Sequence, residues 1–144
     1  MIQLVPFRYL EDVAIADVAF EATSDTLEGL FEEAAKALTE LMVNTQTLKG
    51  ESETEFTVEA ESVDLLLFNF LTKIIYFKDA EAILFKEIRV KISKKTQYTL
   101  FAKGLCDKID YSTQELRLDA KAITFHMFEI SKNDVWHCRV VVDV

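Results

Sequence analysis

The spacing of hydrophobic residues changes along this chain, and that change limits the folds it can adopt. Apolar residues recur at helical spacing from Leu27 to Met42, and again over about sixteen residues that follow Ser62. In the second stretch Leu65, Phe68 and Tyr76 widen the apolar stripe, which predicts a helix covered on more than one side. From Ile83 onward apolar and polar residues alternate instead, as they do in half-buried β-strands.

The remaining elements follow from alternation and from turn-forming residues. Thr23, Ser24 and Asp25 are candidate N-caps for the first helix, and Ser62 is the candidate for the second. Strands are predicted at 16–22, 54–60, 88–92, 98–102, 118–130 and 135–144. The order predicts an α+β fold, with two amphipathic helices packed on a largely antiparallel or mixed β-sheet. At 144 residues, with three glycines and one proline, the chain is expected to form a single domain over 1–144.

The charge of the chain argues against one class of partner. Twenty-five acidic and sixteen basic residues give a formal net charge of −9. Such a chain is repelled by phosphate backbones, so broad direct binding to nucleic acid is not expected. It is suited instead to attracting cations or to docking on a basic protein surface.

Targeting and cysteine usage predict a cytoplasmic protein. The N-terminal residues show no secretory signal, and the longest apolar stretch is interrupted by Asn69, Thr72 and Lys73, so no membrane span is expected. Cys106 and Cys138 are predicted to be free thiols in a reducing compartment.

No local signature of a nucleotide loop or a catalytic triad is present. The three glycines are scattered, and His126 and His137 lie on different predicted strands. Sites for soft metals are disfavoured because His and Cys are not clustered. The chemistry that remains available is that of carboxylate oxygens.

Three acids and one lysine are the candidate functional residues. Asp143 shares one face of the last strand with His137 and Arg139, and it stands beside Val144, whose carboxylate would end the chain. Crowded oxygens of this kind either form a solvated end or hold a hard cation.

Asp12 and Asp17 flank the start of the first strand, where aspartate is commonly a turn former. Lys121, within the predicted strand 118–130, either needs a carboxylate partner if it is buried or protects a sheet edge.

Four segments of the chain resemble the archease family. Residues 9–18 resemble its N-terminal His-Thr-Ala-Asp signature, with Asp17 on the aspartate, and residues 121–126 resemble its Lys-Ala-Val-Thr-Tyr-His signature. Residues 139–144 resemble the family's ending one residue beyond an aspartate, and residues 76–81 resemble the segment after its second helix. Two departures stand out: Val13 or Ala14 replaces the family histidine, and Asn69 and Lys73 stand where the family usually has acids.

The resemblance implies a non-enzymatic activator of the GTP-dependent RNA-splicing ligase that acts in transfer-RNA splicing. Family members promote guanylylation of the ligase and its multiple turnover. The resemblance also implies a calcium or similar divalent cation on Asp17, Asp143 and Val144, with Asp12 and Lys121 as further functional candidates. An acidic activator would suit a basic ligase cleft.

Two other interpretations stay open at this point. The same acids, Asp12, Asp17 and Asp143, could serve a small metal-dependent hydrolase that activates water. Alternatively, the chain is an interaction module whose acids are simply solvated.

Overall fold

The computed structural model describes residues 6–10 and 17–144, and in it two helices pack against two antiparallel sheets. In chain order the elements are β1 (Phe7–Leu10), β2 (Asp17–Ser24), α1 (Leu27–Met42), a short 3₁₀ turn (Thr45–Thr47), β3 (Ser52–Ala60), α2 (Val63–Glu81), β4 (Ile83–Lys94), β5 (Tyr98–Lys108), β6 (Ala122–Asn133) and β7 (Val135–Asp143). The predicted α+β class is therefore confirmed. Alternation along single strands did not reveal that they divide between two sheets.

The larger sheet has the strand order β1-β2-β7-β6, so β7 lies in its interior. Strands β2 and β7 are paired over the full length of β2, from Asp17 opposite Asp143 to Ser24 opposite Trp136. Residues that are distant in sequence therefore meet at the end of this sheet. The smaller sheet has the order β3-β5-β4 and is built around the long β4–β5 hairpin.

The core lies between the helices and the inner faces of both sheets. Within the core Phe56 contacts three other rings, with ring centroids 5.2 Å from Phe77, 5.9 Å from Phe85 and 6.0 Å from Phe70. Gly104 on β5 makes room for this cluster, because an added Cβ there would lie 2.4 Å from a ring carbon of Phe85. Rings from both helix and sheet thus join the two layers through apolar burial.

Several predicted boundaries differ from the structure. The N-cap of α1 is Thr26, whose hydroxyl accepts a 3.0 Å hydrogen bond from the Gly29 N–H, so Thr23, Ser24 and Asp25 do not cap it. The reason is that β2 continues through Ser24 before the chain turns. Helix α2 has nineteen residues rather than about sixteen, and it ends at Ala82 in the left-handed conformation with φ of 52°.

The prediction that α2 is covered on more than one side is confirmed, since α2 contacts α1 and strands of both sheets, but the three residues that widen its apolar stripe do not account for that cover. Leu65 and Tyr76 are exposed, and Phe68 is only half-buried. The apolar residues that widen the stripe therefore reach the surface rather than a second packed layer.

Strand β6 begins at Ala122 and not near Leu118, so Lys121 precedes the strand and is exposed. The free-energy cost expected for burying the Lys121 ammonium therefore does not arise. The β6–β7 register shifts between Thr124 and Glu129, where Met127 has a φ of 54°. At this irregularity, consecutive side chains of β6 no longer alternate regularly between the two faces of the sheet.

Both cysteines are buried and free, which confirms the predicted absence of a disulfide between them. Burial raises the pKa of the Cys138 thiol to about 12. Within residues 6–10 and 17–144, no helix is long and apolar enough to cross a bilayer.

Candidate functional site

Two of the predicted acids face each other at one end of the larger sheet. Asp17, the first residue of β2, is the register partner of Asp143, the last residue of β7. Facing residues of antiparallel strands have Cα atoms about 4.5–5.5 Å apart and side chains on the same face. The sheet thus brings together two carboxylates that are separated by most of the chain.

Lys121 and Val144 lie at the same end of the sheet. The Lys121 backbone N–H donates a 2.7 Å hydrogen bond to the Asp143 carbonyl oxygen, and Ala122 is the partner of Asp143 on β6. Val144 is half-buried and packs against the core. We call Asp17, Asp143 and Val144, with Lys121 beside them, the acidic tip.

The tip acids differ from the other acids on this face of the sheet in having no cationic partner. Throughout the part of the chain that the structure describes, neither Asp17 nor Asp143 forms an ion pair, and the Lys121 ammonium forms none either. Facing like charges are destabilising unless a cation or donors offset them. The facing pair at the tip is therefore a local concentration of negative charge.

The described residues alone do not complete a cation-binding site. Among them, no group of three or more His, Cys, Asp or Glu side chains could hold a metal. Asp17 and Asp143 supply two carboxylates, and the backbone oxygens of Val144 are next to Asp143 in the chain. Asp12 lies outside the described residues, so its predicted contribution stays a prediction, as does the cation itself.

An ion-pair cluster missed from sequence holds the chain segment that leads to the tip. The ammonium of Lys78 on α2 is largely buried, and it pairs with Asp79 at 2.6 Å and with Asp119. Burial alone would lower the pKa of Lys78, but hydrogen bonds and charge from Asp119 and Asp79 raise it above its ordinary value. The cluster ties α2 to the segment that enters β6, two residues before Lys121. The signal available in the sequence was Lys78-Asp79 within the family-like segment 76–81.

Further along the same face of the sheet, at Glu21 in the middle of β2, the charges are paired. Arg8 contacts the Glu21 carboxylate through two nitrogens, each at 2.7 Å, and His137 Nε2 lies 3.5 Å from it. Burial works to raise the pKa of Glu21, but the hydrogen bond and charge of Arg8, with help from His137, hold it below its ordinary value. His137 therefore belongs to a structural cluster away from the tip.

Asn69 and Lys73, the two residues of α2 that depart from the family pattern, each contact a nearby group. The Asn69 amide donates to the Glu59 carbonyl oxygen at 3.3 Å, and the Lys73 ammonium lies 4.5 Å from the ring centroid of Tyr76. Neither contact reaches the acidic tip.

Sequence reasoning also missed a surface cluster of aromatic rings between α2 and β6. Phe68 stacks on Phe125 with a centroid distance of 4.0 Å, and Phe128 meets both rings edge-on. With Leu65, one helical turn before Phe68, these residues form what we call the aromatic ridge. The signal in the sequence was the apolar cluster around His126, which breaks the alternation of β6. His126 itself is exposed on this edge strand.

The fold and tip define a class of small α+β protein with a carboxylate pair at the end of its larger sheet. The Archease protein family (MTH1598/TM1083) matches residues 7–144, and this chain belongs to that family. It is 33% identical over 132 residues to the protein archease of Pyrococcus furiosus, covering 90% of this chain and 93% of the relative. It is 30% identical over 141 residues to the protein archease of Methanosarcina barkeri, covering 96% and 95% of the two chains.

Two solved structures share the fold. The solution structure of protein 1598 of Methanobacterium thermoautotrophicum has a TM-score of 0.84 at 33% identity, covering 96% of this chain and 99% of that one. The crystal structure from Thermotoga maritima, described as an archease and possible chaperone, has a TM-score of 0.61 at 20% identity, covering 100% and 98%. The second likeness supports the fold alone.

Proposed function

We propose that this protein is a non-enzymatic activator of the GTP-dependent RNA-splicing ligase in transfer-RNA splicing, and that it promotes guanylylation and multiple turnover of the ligase. The observation that carries the proposal is the facing pair Asp17 and Asp143 at the end of the larger sheet. Membership of the archease family supports the proposal, because the partner is the one that the resemblance to this family implies.

The acidic tip is the functional part of the activator. Carboxylates of Asp17 and Asp143 and backbone oxygens of Val144 hold a divalent cation, which we take to be calcium because these are the ligands of a hard cation. When bound, the cation neutralises the facing charges and presents a positive centre to phosphate groups. Asp12 is a further ligand candidate, and the exposed ammonium of Lys121 is placed to contact a phosphate at the ligase site.

The charge of the chain supports a protein partner over direct contact with RNA. A net charge of −9 repels phosphate backbones and complements a basic ligase cleft. The tip would enter or border that cleft in the cytoplasm. The alternative is a small metal-dependent hydrolase that uses the same carboxylates, and the activity of the purified protein alone distinguishes the two functions.

The test measures ligase guanylylation with wild-type protein and with the variants Asp17→Asn and Asp143→Asn. Each variant is expected to reduce stimulation at least tenfold, because it removes an anionic ligand while keeping the side-chain shape. Glu55→Gln on β3 is the matched control, since it removes a surface acid from the other sheet. Full stimulation by both tip variants would overturn the proposal. Phosphoester hydrolysis by the purified protein alone, lost on chelation, would replace it with the hydrolase.

A further inference from the structure

Lys78 is a charged side chain of α2 that reaches the chain segment beside the acidic tip. Its side chain is only 9% exposed, whereas the side chain of Asp119, the acid that it contacts on this segment, is 69% exposed. Solvent screens a largely buried ammonium less than an exposed one, and the hydrogen bond that it donates to a carboxylate is strengthened by charge. The contact therefore links α2 to the segment that carries Asp119.

The segment that Lys78 holds runs directly into the tip. Asp119 is followed by Ala120, which is completely buried, and then by Lys121, whose backbone N–H donates the 2.7 Å hydrogen bond to the Asp143 carbonyl oxygen. Strand β6 begins at the next residue, opposite Asp143. A single residue separates the two contacts, so a fixed Asp119 restricts where the Lys121 backbone can lie.

The two acids that contact Lys78 differ in what they connect. Asp79 is the next residue of α2, so its 2.6 Å ion pair with Lys78 stays within one helix. Asp119 belongs to the segment between β5 and β6, so its contact joins two separate parts of the chain. Both carboxylates are mostly exposed, and both accept a hydrogen bond from the ammonium. They form a matched pair in which Asp119, and not Asp79, connects the helix to the tip.

We propose that Lys78, acting through Asp119, is a positioning residue for the acidic tip: it fixes the start of β6 against Asp143 and thereby the place of Lys121. This inference rests on the proposed function, because the position of the tip matters to activity only if the tip acts on the ligase. Lys78 itself takes no direct part in binding a cation or a phosphate. Groups that act in a site need neighbours that hold them to within a fraction of an ångström, and Lys78 is such a neighbour.

Amide hydrogen exchange measured by NMR tests the positioning without the ligase. Asp119→Asn should speed exchange of the Lys121 amide at least tenfold, because the released segment opens its hydrogen bond to Asp143 more often. Asp79→Asn is the matched control and should leave this rate within twofold of wild type. The Phe20 amide, inside the interior strand β2, reports global unfolding. A general loss of stability would speed both amides by the same factor, whereas loss of positioning speeds the Lys121 amide more.

The second measurement is the plateau of ligase guanylylation at saturating activator. Asp119→Asn and Lys78→Met should each lower the plateau about threefold, because a displaced tip acts less well once it is bound. Methionine keeps the apolar stem of Lys78 and removes its charge. Asp79→Asn should keep the wild-type plateau. Saturation with folded protein removes the effect of a smaller folded fraction.

The outcomes separate this inference from the proposed function. If wild-type protein fails to stimulate the ligase, the proposed function fails, and the exchange rates alone decide whether Lys78 positions the segment. If wild type stimulates and Asp119→Asn matches Asp79→Asn in both measurements, the positioning role is refuted while the proposed function stands. Equal acceleration of the Lys121 and Phe20 amides would also refute it, because the ion pair would then stabilise the fold as a whole.

Discussion

The outer faces of the two sheets differ in how their charged side chains are paired. On the smaller sheet, Lys103 of β5 lies 3.4 Å from Glu53 and 3.9 Å from Glu55, and Arg89 pairs with Glu87 at 2.7 Å. On the larger sheet, Glu21 and Glu129 have basic partners, but Asp17 faces Asp143 with none among the described residues. The first face is a solvated surface of mixed charge, as expected for structural support.

This difference distinguishes the ion-paired surface of the smaller sheet from the proposed functional tip of the larger sheet. Cross-strand pairs of opposite charge each contribute a few tenths of a kcal/mol, whereas facing like charges cost a similar amount. The exposed aromatic ridge borders the same larger sheet. The facing carboxylates are unfavourable in isolation, and the proposed cation would offset their repulsion.

The largest expected effect is on stability, from a substitution in the aromatic cluster of the core. Phe56→Ala on β3 removes the ring that contacts Phe70, Phe77 and Phe85, and it should lower the free energy of unfolding by about 3–5 kcal/mol. Urea denaturation measures this loss. Ligase stimulation per folded molecule should not change, because Phe56 is remote from the tip. If the alanine variant does not fold, Phe56→Leu gives the milder comparison, and reduced stimulation by folded protein would contradict the division of roles.

The next effect is stabilisation by the cation. Calcium at one hundred times its dissociation constant should raise the free energy of unfolding of the wild-type protein by about 2.7 kcal/mol. The Asp143→Asn variant should show little of this gain, whereas Glu53→Gln on the smaller sheet should keep it. Urea denaturation with calcium and with chelator measures both. Equal stabilisation of wild type and Asp143→Asn would place the cation elsewhere.

Periodicity predicted the helices and most strands because burial of one face imposes spacing on the sequence. It could not predict the two-sheet arrangement, since alternation shows which face is buried but not which strand is the neighbour. Thr26 was missed as N-cap because β2 and the cap lie only one residue apart.

The tip was predicted more fully than the ridge, and for a physical reason. Asp17, Asp143 and Lys121 stood in recognisable motifs, and the structure brings them to one end of the sheet. Phe68 and Phe125 are apolar, and apolar residues in a regular pattern are expected to be buried. Phe125 is exposed on the edge strand β6, within the stretch where the register with β7 shifts, and no local pattern in the sequence encodes that shift.

A smaller effect on the free energy of unfolding should have opposite signs in variants of the two sheets. Without divalent cation, Asp143→Asn should raise the free energy of unfolding by about 0.5 kcal/mol, because it removes one of two facing like charges. Glu53→Gln should lower it by about as much or less, since it removes the partner of Lys103. Paired urea titrations in chelator measure both changes. Loss of stability in both variants would show that Asp143 has a stabilising partner in solution.

The smallest expected effect concerns the ion pair between Arg8 and Glu21 on the larger sheet, and it depends on pH. The pKa of Glu21 in the folded protein is below the ordinary value of 4.5, so its contribution to stability is complete above about pH 4.5 and is lost as the pH falls through the folded pKa. Glu21→Gln should therefore be less stable than wild type by a few tenths of a kcal/mol at pH 7, and the difference should shrink as the pH falls toward 3. Arg8→Gln should reproduce this loss, because it removes the main partner of the same carboxylate. Urea midpoints at the two pH values measure the change, and a difference that persists undiminished at pH 3 would mean that packing, and not charge, accounts for the role of Glu21.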